Sequence, residues 1–268
     1  MIKINGKNVD IRSFPDGTLL IKEEPLCDKA LVSWFFERNE ELVALIFITQ
    51  HLRSHGAKDV RLHMPYIPNA RQDRVRNADD VFTLKYFADI INSLEYDEVI
   101  VLDPHSSVSE ALFNNIRIDS PDKLIKNVYS RVVSDDMNPS GKDTIMFYPD
   151  EGAMKRYSSM ITLPYAFGIK ERDWSTGKIK GLYVFDEDNM VQGRNILIVD
   201  DICSRGGTFY HSAKRLKELG AERIFLYVTH CENTIMDGEV LTSGLIDRVY
   251  TTNSIFTKEH ERIEVIEL

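Results

Sequence analysis

Short apolar runs alternate with amphipathic stretches along most of the chain. Brief runs of β-branched and aromatic residues are typical of buried strands, whereas apolar residues spaced three and four positions apart are typical of helices. Their alternation predicts an α/β protein with mostly parallel sheets flanked by helices. The predicted strands are residues 59–66, 98–103, 143–149, 195–201, 223–230 and 248–255, and the predicted helices are 40–54, 81–94, 121–133, 209–219 and 236–244.

The pattern also predicts two domains. A strand that ends in Asp103 in the first half has a loose counterpart in the second half, the strand that ends in Asp200 and Asp201. We therefore predict one domain over residues 1–125 and another over residues 126–268. Between the first hairpin and the first helix, the chain lacks a strand pattern.

Composition narrows the class of protein. The chain has 268 residues, of which 43% are hydrophobic and 28% charged, as is usual for a globular protein. Its net charge of −9 comes without a basic tract, so we expect no nucleic-acid partner. Three widely spaced cysteines indicate neither a zinc site nor a disulfide framework. No apolar run approaches the ~20 residues of a membrane span, and no signal peptide is evident, so we expect a cytoplasmic protein without membrane contact.

The apolar run at residues 196–199 ends in two adjacent carboxylates, Asp200 and Asp201. Adjacent carboxylates can accept hydrogen bonds from both hydroxyls of a sugar diol. A loop with Gly206 and Gly207 follows, and a helical pattern begins directly after it. Glycines let backbone N–H groups approach a phosphate, and a helix N-terminus favours negative charge. The combination predicts a site for a ribose 5-phosphate unit; an ordinary strand–loop–helix junction is the alternative.

Other predicted strand ends also carry candidate chemistry. Residues 71–74 read RQDR, and they offer guanidinium forks for phosphates and an amide for a base. A charged surface loop is the alternative. His105 follows the next strand, and Asp150 precedes Gly152 where a further strand turns into a helix. An Asp in that position also serves as an ordinary helix N-cap.

Taken together, these motifs resemble those of the ribose-phosphate diphosphokinases, also called PRPP synthetases. Residues 196–208 resemble a ribose-phosphate loop that this family shares with type I phosphoribosyltransferases. Residues 65–74 resemble an ATP-binding stretch that the phosphoribosyltransferases lack. The resemblance covers most of the chain. It implies two tandem phosphoribosyltransferase-like domains, with the ATP side first and the ribose-phosphate side second.

The resemblance also implies roles for individual residues. Lys170 and Arg172 are the implied catalytic residues, at the root of a loop that closes over the phosphates. Mg²⁺ is the implied cofactor, held near His105 and Asp150. The implied ATP contacts are Phe14 and Asp16, which cap adenine from a neighbouring subunit, together with Arg71, Gln72, Asp73, Arg74 and His105. The implied ribose-phosphate contacts are Asp200, Asp201, Cys203, Ser204, Arg205, Gly206, Gly207 and Thr208.

The implied reaction transfers the β,γ-diphosphate of Mg-ATP to the anomeric C1 hydroxyl of a ribose 5-phosphate unit and releases AMP. The implied partners are ATP, a small molecule that contains ribose 5-phosphate, and further copies of the chain in a dimer or hexamer. Three alternatives stay open. ADP-ribose is a second possible acceptor, since Arg205 adds a positive charge beside the loop. The others are a phosphoribosyltransferase, which leaves residues 70–74 unexplained, and a non-catalytic homologue.

Overall fold

The computed structural model describes residues 1–24, 28–134, 137–138, 141–172 and 179–268, and for residues 170–172, 179–182 and 187 it describes the backbone alone. The described chain forms two compact units, Met1–Ser120 and Pro121–Leu268. Each unit contains its own sheet and its own hydrophobic core. The domain boundary predicted after residue 125 lies inside the first helix of the second unit, Asp122–Val132.

The first unit contains a six-stranded sheet, a separate two-stranded hairpin and helices on the sheet. Its strands are β1 (Ile2–Ile4), β2 (Lys7–Asn8), β3 (Asp10–Ser13), β4 (Leu19–Lys22), β5 (Lys29–Trp34), β6 (Asp59–His63), β7 (Glu98–Leu102) and β8 (Ile116–Asp119), and its helices are α1 (Glu41–Ser54), α2 (Thr83–Asn92) and α3 (Val108–Leu112). The sheet order is β2-β1-β5-β6-β7-β8, and β3 pairs with β4. Strands β5 to β8 run parallel, whereas β1 is antiparallel to β5.

Strand β5 lies in the middle of this sheet, although no strand was predicted there. Over the first four residues of β5, Ala30 and Val32 point into the core, whereas Lys29 and Leu31 are exposed. This alternation is that of a strand with one buried face. The strand is secured by backbone pairing with β1 on one side and β6 on the other. Because that pairing involves distant residues, the local pattern did not reveal it.

The second unit contains a seven-stranded sheet. Its strands are β9 (Thr144–Tyr148), β10 (Tyr165–Arg172), β11 (Ile179–Phe185), β12 (Asn195–Cys203), β13 (Ile224–Cys231), β14 (Arg248–Thr252) and β15 (Ile263–Ile266), and its helices are α4 (Asp122–Val132), α5 (Glu151–Tyr157), α6 (Gly207–Glu218) and α7 (Glu239–Thr242). The sheet order is β11-β10-β9-β12-β13-β14-β15, and only the β10–β11 pair is antiparallel among the pairs of this sheet that the structure describes.

Both faces of this sheet are buried, and alternate residues of one strand serve the two faces. On β12, Ile196 and Ile198 pack with α6 and α7, whereas Leu197 and Val199 pack with α4 and α5. All four side chains are fully buried. Successive side chains of a strand point to opposite faces, so a strand covered on both sides becomes a continuous apolar run. This explains why β12 was easy to recognise in the sequence.

The structure confirms the predicted α/β class and every strand predicted from an apolar run, which appear as β6, β7, β9, β12, β13 and β14. The helix predicted over residues 236–244 is shorter, because α7 spans only Glu239–Thr242 after a 3₁₀ turn at Asn233–Asp237. Apart from β5, the strands that the sequence pattern missed lie at or next to a sheet edge. They include β1, β8, β11 and β15.

The two-sided core of the second unit generates a first prediction. Ile198→Ala should lower the free energy of unfolding by about 2–5 kcal/mol, because it removes buried methylene groups and leaves a cavity. Ile169 on β10 is 42% exposed, so Ile169→Ala is the matched control and should cost far less. Urea unfolding followed by circular dichroism measures both, and equal losses would contradict the assigned core.

Candidate active site

Polar residues of the second unit collect at one edge of its sheet. Strands β9, β12 and β13 are parallel neighbours, so their carboxyl ends meet at that edge. Asp150 follows β9, and Asp200 and Asp201 lie near the end of β12. Ligands of open α/β sheets bind at such carboxyl ends. This edge is therefore the candidate site of the second unit.

The three carboxylates at this edge interact strongly. Removal from water raises the pKa of Asp200 well above its ordinary value, and the negative charges of Asp201 and Asp150 raise it further. The Asp200 carboxylate accepts a hydrogen bond from the Asp201 backbone N–H at 2.9 Å. Asp150 caps α5, since its side chain accepts from the Ala153 N–H at 3.0 Å. The cluster thus concentrates negative charge that a bound hydroxyl or cation can relieve.

Arg156 is a residue of this site that the sequence did not reveal. It lies on α5, and its Nη1 is 3.4 Å from Oδ2 of Asp201, which is only 5% exposed. The guanidinium also lies over the ring of Tyr157, 5.7 Å from its centroid. A lone arginine in an amphipathic helix carries no sequence signal for such a role. It provides positive charge beside the acidic cluster and orients Asp201.

The chain between β12 and α6 turns its carbonyl groups toward the protein. The Cys203 carbonyl accepts from the Glu232 N–H at 2.8 Å, and the Ser204 carbonyl accepts from the Cys203 thiol at 3.2 Å. The Arg205 carbonyl faces Gly238. In a trans peptide the N–H points away from the C=O of the same unit. The amides that follow these carbonyls therefore point away from the core.

Glycines and a buried cysteine complete this loop. Gly206 is the N-cap of α6 with a φ of 76°, in the left-handed region that favours glycine. A Cβ built at Gly207 meets no atom of the described chain within 4 Å, so it would occupy open space. The side chain of Cys203 lies in the core, whereas Arg205 is exposed and Ser204 and Thr208 are half-buried. The thiol of Cys203 therefore supports the loop from beneath.

In the first unit, residues 71–74 form a loop in which two neighbouring side chains are hydrogen-bonded to each other. Arg74 donates two hydrogen bonds to the Asp73 carboxylate, from Nε to Oδ1 at 2.7 Å and from Nη2 to Oδ2 at 2.8 Å. This contact lowers the pKa of Asp73 to about 2, and the nearby charge of His105 contributes to the shift. The loop and His105 are thus brought together. Arg71 and Arg74 are exposed, so they present cations at the surface.

The remaining predicted ATP contacts occupy fixed positions in this unit. The side-chain oxygen of Gln72 accepts from the Thr83 hydroxyl at 3.1 Å, which ties the loop to the start of α2. Phe14 and Asp16 lie in the turn between β3 and β4. Asp16 accepts from both the N–H and the hydroxyl of Thr18, and these bonds lower its pKa. Phe14 is 49% exposed.

Lys170 and Arg172 lie on β10, whose backbone pairs with β11 at Leu182 and Ile179. Residues 173–178, where the resemblance implies a loop that closes over the phosphates, lie outside the described residues. Among the side chains that the structure does describe, no group of three or more His, Cys, Asp or Glu is arranged to hold a metal ion. No helix within the described ranges is long and apolar enough to cross a membrane.

Comparison with known proteins agrees with these features. A family profile described as a phosphoribosyl synthetase-associated domain matches residues 185–267. The ribose-phosphate pyrophosphokinase of Pyrococcus abyssi is 30% identical over 268 residues, which cover 97% of this chain and 88% of the relative. The enzyme of the same name from Thermococcus kodakarensis is 29% identical, over 93% of this chain and 86% of the relative.

A solved structure supports the fold. The phosphoribosylpyrophosphate synthetase of Mycobacterium smegmatis matches with a TM-score of 0.77 at 21% identity, and the match covers 97% of this chain and 86% of that chain. The chain belongs to the ribose-phosphate pyrophosphokinase family and is an enzyme of the transferase class. The predicted resemblance is thereby confirmed. The similarity extends over both units, which favours this family over the phosphoribosyltransferase alternative.

The acidic cluster predicts an unusual dependence of stability on pH. Asp200 has a raised pKa when folded, so its ionisation costs stability as the pH rises above the unfolded value of about 4. Asp200→Asn removes that cost, and the variant should melt above the wild type at pH 8. The difference should shrink toward pH 4. Each 1 kcal/mol gained corresponds to about 2–4 °C in a protein of this size.

Differential scanning fluorimetry across this pH range measures the effect, with the exposed Asp237→Asn as the control that should change little. A variant at Asp200 that melts below the wild type at pH 8 would contradict the like-charge cluster.

The Asp73–Arg74 pair has the opposite pH dependence. The pKa of Asp73 is lowered to about 2 when folded, so its contribution is present above pH 4 and is lost as the pH falls toward 2. Asp73→Asn should lower the free energy of unfolding on the order of 1–2 kcal/mol at pH 7, after allowance for the exposed Arg74. Denaturant titrations at pH 7 and pH 2.5 should show the difference shrink at the lower pH, where the carboxylate begins to be protonated. Asp79→Asn in the same exposed loop is the control.

Proposed function

We propose that this chain transfers the β,γ-diphosphate of ATP to the C1 hydroxyl of ribose 5-phosphate, giving phosphoribosyl pyrophosphate and AMP. The observation that carries the proposal is the edge of the second sheet, where Asp200 and Asp201 adjoin a loop with outward amides. The names of the relatives, ribose-phosphate pyrophosphokinases, agree with this reaction. They give no support to ADP-ribose as the acceptor.

Asp200 and Asp201 are proposed to accept hydrogen bonds from the two ring hydroxyls of the ribose. A carboxylate is a strong acceptor, and a hydroxyl donor stabilises its charged form. This would offset the burial and the like-charge repulsion that raise the pKa of Asp200. Arg156 is proposed to orient Asp201 through their ion pair. The sugar would then be held with its C1 hydroxyl free to attack.

Residues 204–208 are proposed to bind the 5-phosphate. Their carbonyls at positions 204 and 205 face inward, so the following amides can point at an anion. Gly207 supports this reading, because neither its backbone angle nor a neighbouring atom of the described chain requires glycine there. A close ligand would explain the absence of a side chain. The N-terminus of α6 adds favourable partial charge, and Ser204, Arg205 and Thr208 supply polar side chains.

ATP is proposed to bind the first unit through residues 71–74 and His105. The exposed guanidinium groups of Arg71 and Arg74 suit phosphate oxygens, while Asp73 keeps Arg74 in place. Gln72 remains a proposed contact through its amide nitrogen, since its oxygen accepts from Thr83. Phe14 and Asp16 are proposed to cap adenine on a neighbouring copy of the chain. A homo-oligomer, as a dimer or hexamer, is part of this proposal.

Mg²⁺ is the proposed cofactor. Carboxylate and phosphate oxygens are ligands that it favours, and the repulsion among Asp150, Asp200 and Asp201 fits a nearby cation. Asp150 and His105 are the proposed contacts, and the ion would neutralise charge on the diphosphate. Lys170 and Arg172 are proposed to stabilise the same charge as the AMP oxygen departs. The reaction needs the C1 hydroxyl of the ribose in line with the β-phosphorus of ATP. Binding of the ribose diol would hold the C1 hydroxyl in that position.

The reaction itself is the direct test. The wild type should convert ATP to AMP in the presence of Mg²⁺ and ribose 5-phosphate, with phosphoribosyl pyrophosphate identified by mass spectrometry. Asp200→Asn combined with Asp201→Asn should lower kcat/KM for ribose 5-phosphate by at least about a hundredfold, because neutral amides accept weakly. ATP affinity, measured by calorimetry, should stay within about threefold. Unchanged ribose 5-phosphate affinity in the double variant would refute the assigned diol site.

A further inference from the structure

The backbone conformation of Gly238 does not require glycine. Its φ is −102° and its ψ is 155°, an extended conformation that any residue adopts. It is buried between the 3₁₀ turn at Asn233–Asp237 and α7, and its N–H donates to the Ile235 carbonyl at 2.9 Å. The requirement for glycine must therefore come from its surroundings.

Those surroundings are the loop that we assign to the 5-phosphate. A Cβ built at Gly238 would lie 2.0 Å from the Arg205 carbonyl oxygen and 2.9 Å from its carbonyl carbon. Both are backbone atoms, so neither can rotate away as the end of a side chain could. The main chains at positions 205 and 238 are thus in direct contact. Only glycine permits that approach.

Adjacent contacts hold the same two segments together. A Cβ at Gly206 would lie 2.2 Å from Cγ2 of Val240, a fully buried residue of α7. The Glu232 N–H donates to the Cys203 carbonyl at 2.8 Å. We name residues 232–240 the backing segment, because they contact the loop at successive positions on the side toward which its carbonyls turn.

The backing segment is itself anchored. The Asn233 side chain donates to the Thr257 hydroxyl at 2.9 Å and accepts from the Thr257 N–H at 3.0 Å. Ile235 and Val240 are fully buried in the core beside α6. The segment is therefore a rigid surface against which the loop rests.

We infer that Gly238 is a positioning residue for the ribose-phosphate site: its missing side chain lets the backing segment hold the Arg205 carbonyl inward, which aims the Gly206 amide at the 5-phosphate. The inference rests on the proposed function of this loop and extends it to a residue that does not touch the ligand. Because the Arg205 carbonyl and the Gly206 N–H belong to one planar peptide, displacing the first must turn the second.

Gly238→Ala tests this directly. The added methyl group should push the Arg205 carbonyl away, raise the KM for ribose 5-phosphate at least about tenfold, and weaken competitive inhibition by inorganic phosphate in parallel. The KM for ATP should stay within about twofold, because the ATP contacts are assigned to the other unit. Gly244→Ala is the matched control. Gly244 has a φ of 71°, and its built Cβ meets no described atom within 4 Å, so that substitution strains the backbone without crowding the loop.

A second variant covers the case in which Gly238→Ala does not fold. Asn233→Ala removes the two hydrogen bonds to Thr257 and loosens the backing segment without a clash. It should raise the KM for ribose 5-phosphate about twofold to fivefold, with kcat and the KM for ATP nearly unchanged. A positioning role predicts this selective effect, whereas a general loss of stability would lower the active fraction and reduce kcat alone.

The outcomes separate the inference from the proposed function. If the wild type makes no AMP with ribose 5-phosphate, the proposed function fails, and with it the inference. If the wild type is active and a folded Gly238→Ala variant keeps its KM for ribose 5-phosphate, the inference alone is overturned. When that variant is insoluble, an unchanged KM in Asn233→Ala overturns it instead.

Discussion

Parallel pairing of β9, β12 and β13 is the constraint on which the second unit depends. It brings the carboxyl ends of three strands to one edge, so that Asp150 and the Asp200–Asp201 pair become neighbours although they are distant in sequence. The same pairing places Cys203 beside Cys231, from which the chain continues into the segment that supports the β12–α6 loop. Backbone hydrogen bonding between strands thus determines where the chemical groups of this unit meet.

The acidic edge illustrates a conflict between stability and function. Burial, together with the nearby charges of Asp201 and Asp150, raises the pKa of Asp200, so the folded chain bears a cost when that group is ionised. A fold selected for stability alone would replace one of them by a neutral residue. The arrangement is reasonable for a site that binds hydroxyl groups or a cation, since the ligand supplies the missing favourable interactions. Arg156 offsets part of the cost on Asp201 before any ligand arrives.

The first unit also contains an aspartate–arginine pair, but there the exposed groups are arginines. Its loop at residues 71–74 presents two arginines, and the buried Asp73 fixes one of them through a two-point contact. An arginine held in this way loses less conformational entropy when it meets a phosphate. In both units, then, a buried aspartate pairs with an arginine. One pair orients a carboxylate and the other orients a guanidinium group.

The sequence by itself determined the α/β class, most of the central strands and the identity of the main candidate residues. Strand β12 was recognisable because both of its faces are buried, and its acidic pair and glycines occupy consecutive positions. The tertiary structure alone decided the rest. Strand β5 depends on pairing with distant neighbours, and Arg156 acts only because α5 places it near Asp201. Gly238 has an ordinary backbone conformation, and its importance comes from the Arg205 carbonyl, which is distant in the chain and which no local pattern records.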